Sequence, residues 1–572
     1  MFKIKNNPRI IGDNHVKEVA IVLRKKLINE SIESSPNTAR ETAQYIMKKF
    51  PDIKSVYTKF DAYSQKNDLV IEMRNGSTIN VNLFLIKKGG KIQPRNLGAK
   101  SFLKKYFLDD KLQMMFNLKF EEEYQNFLRQ LKGVEEEFSY QMDYKKLKQE
   151  VGEKFPVFTP EINGIRDAFL YKLREICFNF LTKFYNDRNS GLIEAYSTFL
   201  MIDDVNIITY YEKNNNASVE ELKSTKPNFD DIQIYKKGKN TVGIKCGEIA
   251  FTLRFKFESK PTSSVKLATS FEYFKETTKV SPNKSTLAKI EKLMNEHTHT
   301  AEKNTSNAIG KCHEALTYYY FLKEWPGVMQ VDEEKVLDLL SKYSSILDRV
   351  LLNTLCNSTA TIIPVIKEKL KLKYNNFDIE SIELIPDSYI QDRLNTGDLQ
   401  LVLRVNGDYR IEDISLKAIS TSKRKITVKN PGVGTIIGST FFDIGSLDRA
   451  VSEAKIKYES KLITRLQALE NLSVELGEKL KQAKPPQLKK GIENLMGKSL
   501  MAITFYSEEK SVCKEPSEIK GDIKIFTQSP TSIQTTLAWN KGEEQMSLRM
   551  KFSKGETHGW SSVKLAAEYK ID

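Results

Sequence analysis

Cysteine is scarce in this chain: five residues in 572, at 177, 246, 312, 356 and 513. The number is odd and no two form a Cys-x-x-Cys pair, which excludes a disulfide scaffold and a tetrahedral zinc ribbon and fits a reducing cytoplasm. Histidine is equally sparse, with five residues. No stretch approaches 18 apolar residues, so no membrane span is expected. The opening MFKIKNNPRIIGDNHVKEVA lacks the apolar run of a secretory leader. There is no GxxxxGK[ST], no GxGxxG and no HExxH, which removes the main supports for P-loop, dinucleotide-binding and zincin readings. What remains is plentiful: 40% hydrophobic and 10% aromatic residues, enough for packed cores. The length predicts about three or four domains at roughly 150 residues each. Lys and Arg number 89 against 74 Asp and Glu, a net charge of +15. A chain of that sign and size points to a polyanionic partner, nucleic acid before an anionic membrane surface.

The sequence repeats itself. DLVIEMRNG begins at Asp68 and DLQLVLRVNG at Asp398, a shift of 330 residues that also carries Arg74 to Arg404 and Lys87 to Lys417. RNLGAKSFLKKYF (95–107) matches KNPGVGTIIGSTFF (429–442), and LRFKFESKPTSSVKLA (253–268) matches LRMKFSKGETHGWSSVKLA (548–566). At the front, KEVAIVLRKKL (17–27) loosely resembles HEALTYYYFLKEW (313–325). Four blocks in one order imply two diverged copies. The expected division is 1–280 for the first copy, 281–307 for a linker with a short helix, and 308–572 for the second. Each copy reads as an opening helix, two alternating strands joined at an Asn-Gly turn, a long helical stretch and closing strands. The class is α+β or mixed α/β, with a central mixed sheet, flanking helices and a small β-rich part after them.

In the second copy Asp398 opens a strand and Lys417 lies on its partner across the turn. Asp413, Ser415 and Lys417 share one face of that partner. Glu314 sits on the opening helix. A helix Glu, a strand-end Asp and a strand Lys can converge at one end of a sheet. There two carboxylates hold a hard divalent cation, and the lysine orients water and offsets phosphate charge. The arrangement resembles the PD-(D/E)xK, or restriction-endonuclease-like, nuclease superfamily. Gly397-Asp398, Ser415-Leu416-Lys417 and Glu314 carry the likeness, which runs from Glu314 to about Gly432. It implies a Mg²⁺-dependent deoxyribonuclease, with Mn²⁺ as a substitute, that hydrolyses phosphodiesters of DNA, double-stranded DNA first. It implies Glu314, Asp398 and Asp413 as metal ligands, with Lys417, Asp398, Glu314 and Ser415 in catalysis. Ser415 stands where the family usually has Glu or Asp, and Asp413 on the same face is its expected replacement.

The first copy keeps Glu18, Asp68 and Lys87, and Lys87, like Lys417, follows its aspartate by nineteen residues. On that ungapped count Leu83 and Leu85 replace Asp413 and Ser415, an apolar face that makes a charged site costly. A degenerate centre used for DNA grip or architecture is expected there, with a weakened active site as the alternative. Basic segments follow each lysine. Arg95, Asn96 and Lys100 in one copy, and Lys423, Arg424, Lys429 and Asn430 in the other, are the expected phosphate contacts. The fused copies imply a monomer with pseudo-dimeric halves, or a homodimer. A non-catalytic nucleic-acid-binding or structural protein, viral among the settings considered, is the rival reading.

Overall fold

In a computed structural model of the chain, the structure describes residues 8–571 apart from 62–66, 91, 93–95, 134–142, 213–215, 274–282, 300–304, 388, 390–396 and 421–423. It divides into two compact units, Met1–Thr278 and Lys279–Asp572.

The first unit opens with helices Pro8–Leu27 and Asn37–Lys49. Strands β1 (Ile53–Thr58), β2 (Leu69–Met73) and β3 (Thr78–Lys87) follow as an antiparallel meander. The β2–β3 turn is tight because Gly76 adopts φ +84°, a region that asparagine-glycine pairs reach cheaply. Strand β4 (Asn96–Gly98) leaves this sheet. After helices Asp110–Lys132 and Asn163–Asn186, the chain returns as β5 (Val205–Tyr211), parallel to β3, with β6 (Ala217–Glu221) antiparallel at the edge. The sheet order is β1-β2-β3-β5-β6. Val16, Val19, Leu23, Ala43 and Ile46 of the two opening helices bury against Ile71, Val81 and Ile207 of this sheet. A second sheet is wholly antiparallel. It orders β4 beside β10 (Val265–Tyr273), β9 (Ile249–Phe257), β8 (Thr241–Cys246) and β7 (Ile232–Lys237). Phe116 and Phe127 of the Asp110–Lys132 helix stack on Phe255 and Phe257 of β9.

The second unit contains the same strand order in the same senses. Strand β11 (Met329–Gln330) adds a short parallel edge. Then β12 (Asp378–Leu384), β13 (Leu399–Val405) and β14 (Asp408–Ile419) form the meander. Strand β15 (Lys425–Lys429) leaves, β16 (Leu500–Phe505) returns parallel to β14, and β17 (Lys510–Lys514) closes the edge. The other sheet runs β15, β21 (Val563–Lys570), β20 (Glu544–Phe552), β19 (Gln534–Trp539) and β18 (Lys524–Phe526). Even the irregularities match, since a register shift interrupts β1–β2 at Ile53/Ser55 and β12–β13 at Ile379/Ser381. The SSVKLA segments are core strands in both units, with Leu267 and Leu565 fully buried.

The stretch expected as a linker supplies helix Lys284–Asn295, which packs into the second unit. Ile290 is fully buried there and Asn283 Nδ2 donates to Pro326 O and Val328 O. Helix Thr305–Glu324 crosses the first sheet of that unit, burying Ala315, Tyr318 and Leu322 against Ile382, Leu401 and Ile414. Residues Arg349–Tyr374 are long and apolar enough for a membrane span by composition. They form two helices, Arg349–Ala360 and Ile362–Tyr374, whose Leu352, Leu355, Ile366 and Leu370 are buried in the unit's interior.

Helix Pro485–Met496 has almost no space at Gly491, where an added Cβ would stand 2.1 Å from Phe442 Cδ1. Phe442 is fully buried and cannot retreat. Gly491→Ala is therefore expected to destabilise the second unit by about 1–3 kcal/mol through overpacking. An unchanged urea midpoint for that unit would contradict this packing.

Candidate active site

The backbone of Asp398 is clamped between two strands. Its N–H donates to Ile414 O at 2.8 Å, and its C=O accepts from Ile385 N at 2.9 Å. The side chain turns back onto β14, where Oδ2 accepts from Leu416 N at 2.7 Å. Ser415 Oγ at 3.4 Å and Lys417 Nζ at 3.3 Å reach the same oxygen. Strand alternation explains the grouping: Asp398 sits opposite Ser415, and Lys417 is the next residue on the same face.

The opening helix brings a second acid. Lys311 Nζ lies 3.0 Å from both carboxylate oxygens of Glu314 and 2.7 Å from Asp387 Oδ1. Burial first, and then the negative charge of Asp398, push the Glu314 carboxyl up to about 7, against the opposing pull of Lys311. Burial alone would lower the Lys311 ammonium, but Glu314 and Asp387 more than reverse it. Lys335, which donates to Leu384 O at 2.9 Å, is brought down to about 8 by burial, with Glu383, Asp387 and Glu314 opposing. His313 is fully buried beside Glu314 and held neutral, its pKa driven down to about 3 by burial and further by the Lys417 charge. Its Nε2 bonds Thr504 Oγ1 on β16 at 2.8 Å, whereas Nδ1 has no partner among the described residues.

Glu314, Asp398, Ser415 and Lys417 thus converge. Asp413 does not join them, because its carboxylate accepts from Gln400 Nε2 at 2.8 Å. It lines a separate cavity of about 820 Å³ with Glu412, Lys498 and Trp539. Among the described residues no three His, Cys, Asp or Glu groups are spaced to hold a metal ion. Two carboxylates remain, Glu314 and Asp398, and the charge of the second raises the first. That donor set fits Mg²⁺, which keeps several waters and takes one or two carboxylates together with phosphate oxygens. Lys311 and Lys335 carry no signal in the sequence, and Asp387 is passed over there because Pro386-Asp387 lies outside the repeated block. A signal existed for Asp387, since Pro386-Asp387 directly follows a strand.

The first unit departs from the sequence alignment. Leu69 pairs with Val81, so Asp68 faces Asn82, whereas Leu399 pairs with Ile414, so Asp398 faces Ser415. The first hairpin is three residues tighter. Phe84, not Lys87, therefore stands in the place of Lys417. Lys87 ends β3, exposed and paired with Tyr211. The positions matching Asp413 and Ser415 are Asn80 and Asn82 rather than Leu83 and Leu85. The face is an amide cluster, not an apolar one: Asn82 Nδ2 donates to Asp204 Oδ2 at 3.1 Å and Asn206 Oδ1 at 3.0 Å. Asp68 Oδ2 still accepts from the backbone, here Leu83 N at 2.9 Å. On the helix, the Gly-x-x-His of Gly12 and His15 matches that of Gly310 and His313. In that frame Val16 takes the place of Glu314. Asp13, not Glu18, is the helix acid linked to Asp68, through Lys59.

Of the expected phosphate contacts, Lys423 and Arg95 lie outside the described residues. Arg424 and Asn430 are exposed on either side of β15, and Lys429 Nζ stands 5.6 Å over the Phe441 ring. Asn96 begins β4, and Lys100 is paired with Glu121. Strands β4 and β15 hold the same edge position in their sheets, so each basic segment leads from the strand after the site into the second sheet.

No protein-family profile matches the sequence. The type II restriction enzyme BsuRI of Bacillus subtilis is 48% identical over 570 residues, which is 99% of this chain and 99% of that protein.

Thr504→Val leaves both ring nitrogens of buried His313 without a partner. The second unit should lose about 1–3 kcal/mol, the cost of an unsatisfied buried polar group. A urea midpoint equal to that of the wild type would show that this bond does not anchor the helix to β16.

Proposed function

We propose the following for a chain that belongs to the family of type II restriction enzymes: it is a DNA endonuclease with its cutting centre at Asp398, Glu314, Ser415 and Lys417. The observation that carries this reading is the convergence of Asp398, Ser415 and Lys417 on one carboxylate oxygen, with buried Glu314 close enough to feel the Asp398 charge. Glu314 and Asp398 would hold Mg²⁺, or Mn²⁺ in its place, which when bound would polarise the scissile phosphate and acidify a water. Asp413 is the further ligand expected by resemblance, and its bond to Gln400 would have to break first. Lys417 would orient the attacking water and offset charge developing on the phosphate. Ser415 Oγ would hold that water from the other side. Lys311 and Asp387 fix the Glu314 carboxylate, and Lys335 adds positive charge near it.

The shared strand order, the matched bulges and the repeated Gly-x-x-His support two diverged copies of one restriction-endonuclease-like domain. They support a boundary near 280, with helix Lys284–Asn295 of the expected 281–307 joining segment packed into the second copy. In this reading Arg424, Lys429 and Asn430, with Lys423, hold phosphates of double-stranded DNA at the second copy. Arg95, Asn96 and Lys100 do so at the first. Asp68, with Asp13 and Lys59, belongs to a degenerate centre that grips without cutting, and Glu18 and Lys87 fall outside it. The chain would work in the cytoplasm, as a monomer with pseudo-dimeric halves or as a homodimer.

Asp398→Ala should abolish cleavage of supercoiled plasmid in Mg²⁺ while leaving binding in a gel-shift assay near wild type. Lys417→Ala should slow cleavage by about 10²–10⁴, the range for loss of a positioned proton-transfer group. Asp68→Ala and Lys87→Ala should cut at close to the wild-type rate. Wild-type protein that binds DNA yet cuts nothing in Mg²⁺ or Mn²⁺ would overturn the catalytic assignment.

A further inference from the structure

In the first unit a single ammonium joins the helix acid to the strand-end aspartate. Lys59 Nζ stands 2.7 Å from Asp13 Oδ1 and 2.9 Å from Asp68 Oδ1. No such bridge joins Glu314 to Asp398 among the described residues of the second unit. There Lys311 holds Glu314, and a different lysine, Lys417, holds Asp398. Backbone bonds identify the counterpart of Lys59. Lys59 N donates to Asp68 O at 3.2 Å, and Ile385 N to Asp398 O at 2.9 Å. The second unit therefore has a buried isoleucine where the first has a lysine, and a lysine at 417 where the first has Phe84. The two positive charges have exchanged strands.

We propose that Lys59 is a tethered cation that closes the first centre to divalent metals, its ammonium occupying the place between Asp13 and Asp68 that an ion would otherwise take. The inference rests on the reading of Glu314 and Asp398 as metal ligands. The chemistry is a competition between one covalently held charge and a free dication. A tethered ammonium sits at high effective concentration, donates hydrogen bonds to both acids and cannot be chelated away. Burial opposes the charge on Lys59, and its bonds to Asp13 and Asp68 more than restore it, so the ammonium is present throughout the neutral range. Phe84 removes the group that would orient a water. The first unit thus keeps the scaffold of a cutting centre and lacks both the vacancy for a metal and the lysine beside it. Each chain carries one cutting centre, and a duplex cut in both strands takes two events.

The test counts Mn²⁺ bound per full-length chain from the loss of the free-ion magnetic resonance signal. The wild type should bind one ion and Asp398→Asn none. Adding Lys59→Ile, the residue found at the matching place in the second unit, should restore one ion to the Asp398→Asn chain. A further Asp68→Asn should remove it again. A folded Lys59→Ile, Asp398→Asn chain that takes up no Mn²⁺ overturns the closure, as does a wild type that binds an ion sensitive to Asp68→Asn. Should Lys59→Ile fail to fold, Lys59→Gln keeps a polar side chain without the charge and gives the same reading. An Asp398→Asn chain that binds as much Mn²⁺ as the wild type would instead refute the second-unit site. The increment on removing the Lys59 charge would still decide the first.

Discussion

One hydrogen bond organises each unit: the carboxylate at the head of a strand accepts from a backbone N–H in the middle of its neighbour. Leu416 N serves Asp398 and Leu83 N serves Asp68. A charged acceptor on a backbone donor is among the stronger hydrogen bonds a protein makes. Here it locks the side chain at the point where the meander would otherwise fray. Because the bond is made to the main chain, it fixes which residues stand on either side of the acid whatever their side chains are. In the second unit those are Ser415 and Lys417. In the first they are Asn82 and Phe84. The same scaffold therefore presents two different chemistries on matched ladders, the first closed by a hairpin three residues tighter.

The repeated segments, the hairpins and the grouping of Asp398, Ser415 and Lys417 were legible in the sequence because all three are local. A strand pair joined by an Asn-Gly turn keeps its register within reach of a residue count. The count failed in the first unit for a physical reason. Its β2–β3 ladder is three residues tighter, so equal spacing along the chain carried Lys87 past the aspartate to the end of the strand. An odd offset also reverses the face, which turned an amide cluster into an imagined apolar one. The helix acid was misread for a related reason. Counting from the apolar run chose Glu18, whereas the buried histidine that both helices share sets a frame that puts Val16 in the place of Glu314 and Asp13 in that of Lys311. Lys311 and Lys59 could not be read at all, since each acts by joining segments far apart in sequence.

The buried charges of the second unit make sense as a balance held short of neutrality. Lys311 is shared between two acids and Lys417 is spent on one. Glu314, buried, still feels the charge of Asp398, which adds to burial in pushing its carboxyl up. Histidine would be a poor neighbour there if it could protonate, and the full burial of His313 prevents that. Its contact with Thr504 connects the helix to β16, so the strand that supports β14 from the far side also fixes the height of Glu314.

That support arrives late. Strand β14 ends at Ile419, yet its parallel partner β16 begins at Leu500, and β15 pairs with β21 at Val563–Lys570. Parallel partners always need a crossover, and here the crossover contains the helices of another layer. Pairings this distant are slow to form, because the chain loses its freedom before any contact rewards it. During synthesis the first unit can fold while the second still lacks its closing strands. A ribosome-bound chain that has emerged only as far as β15 has the meander carrying Asp398 and Lys417 but not β16, the parallel strand that supports β14 from the far side. The flank of the site is therefore among the later elements that translation delivers.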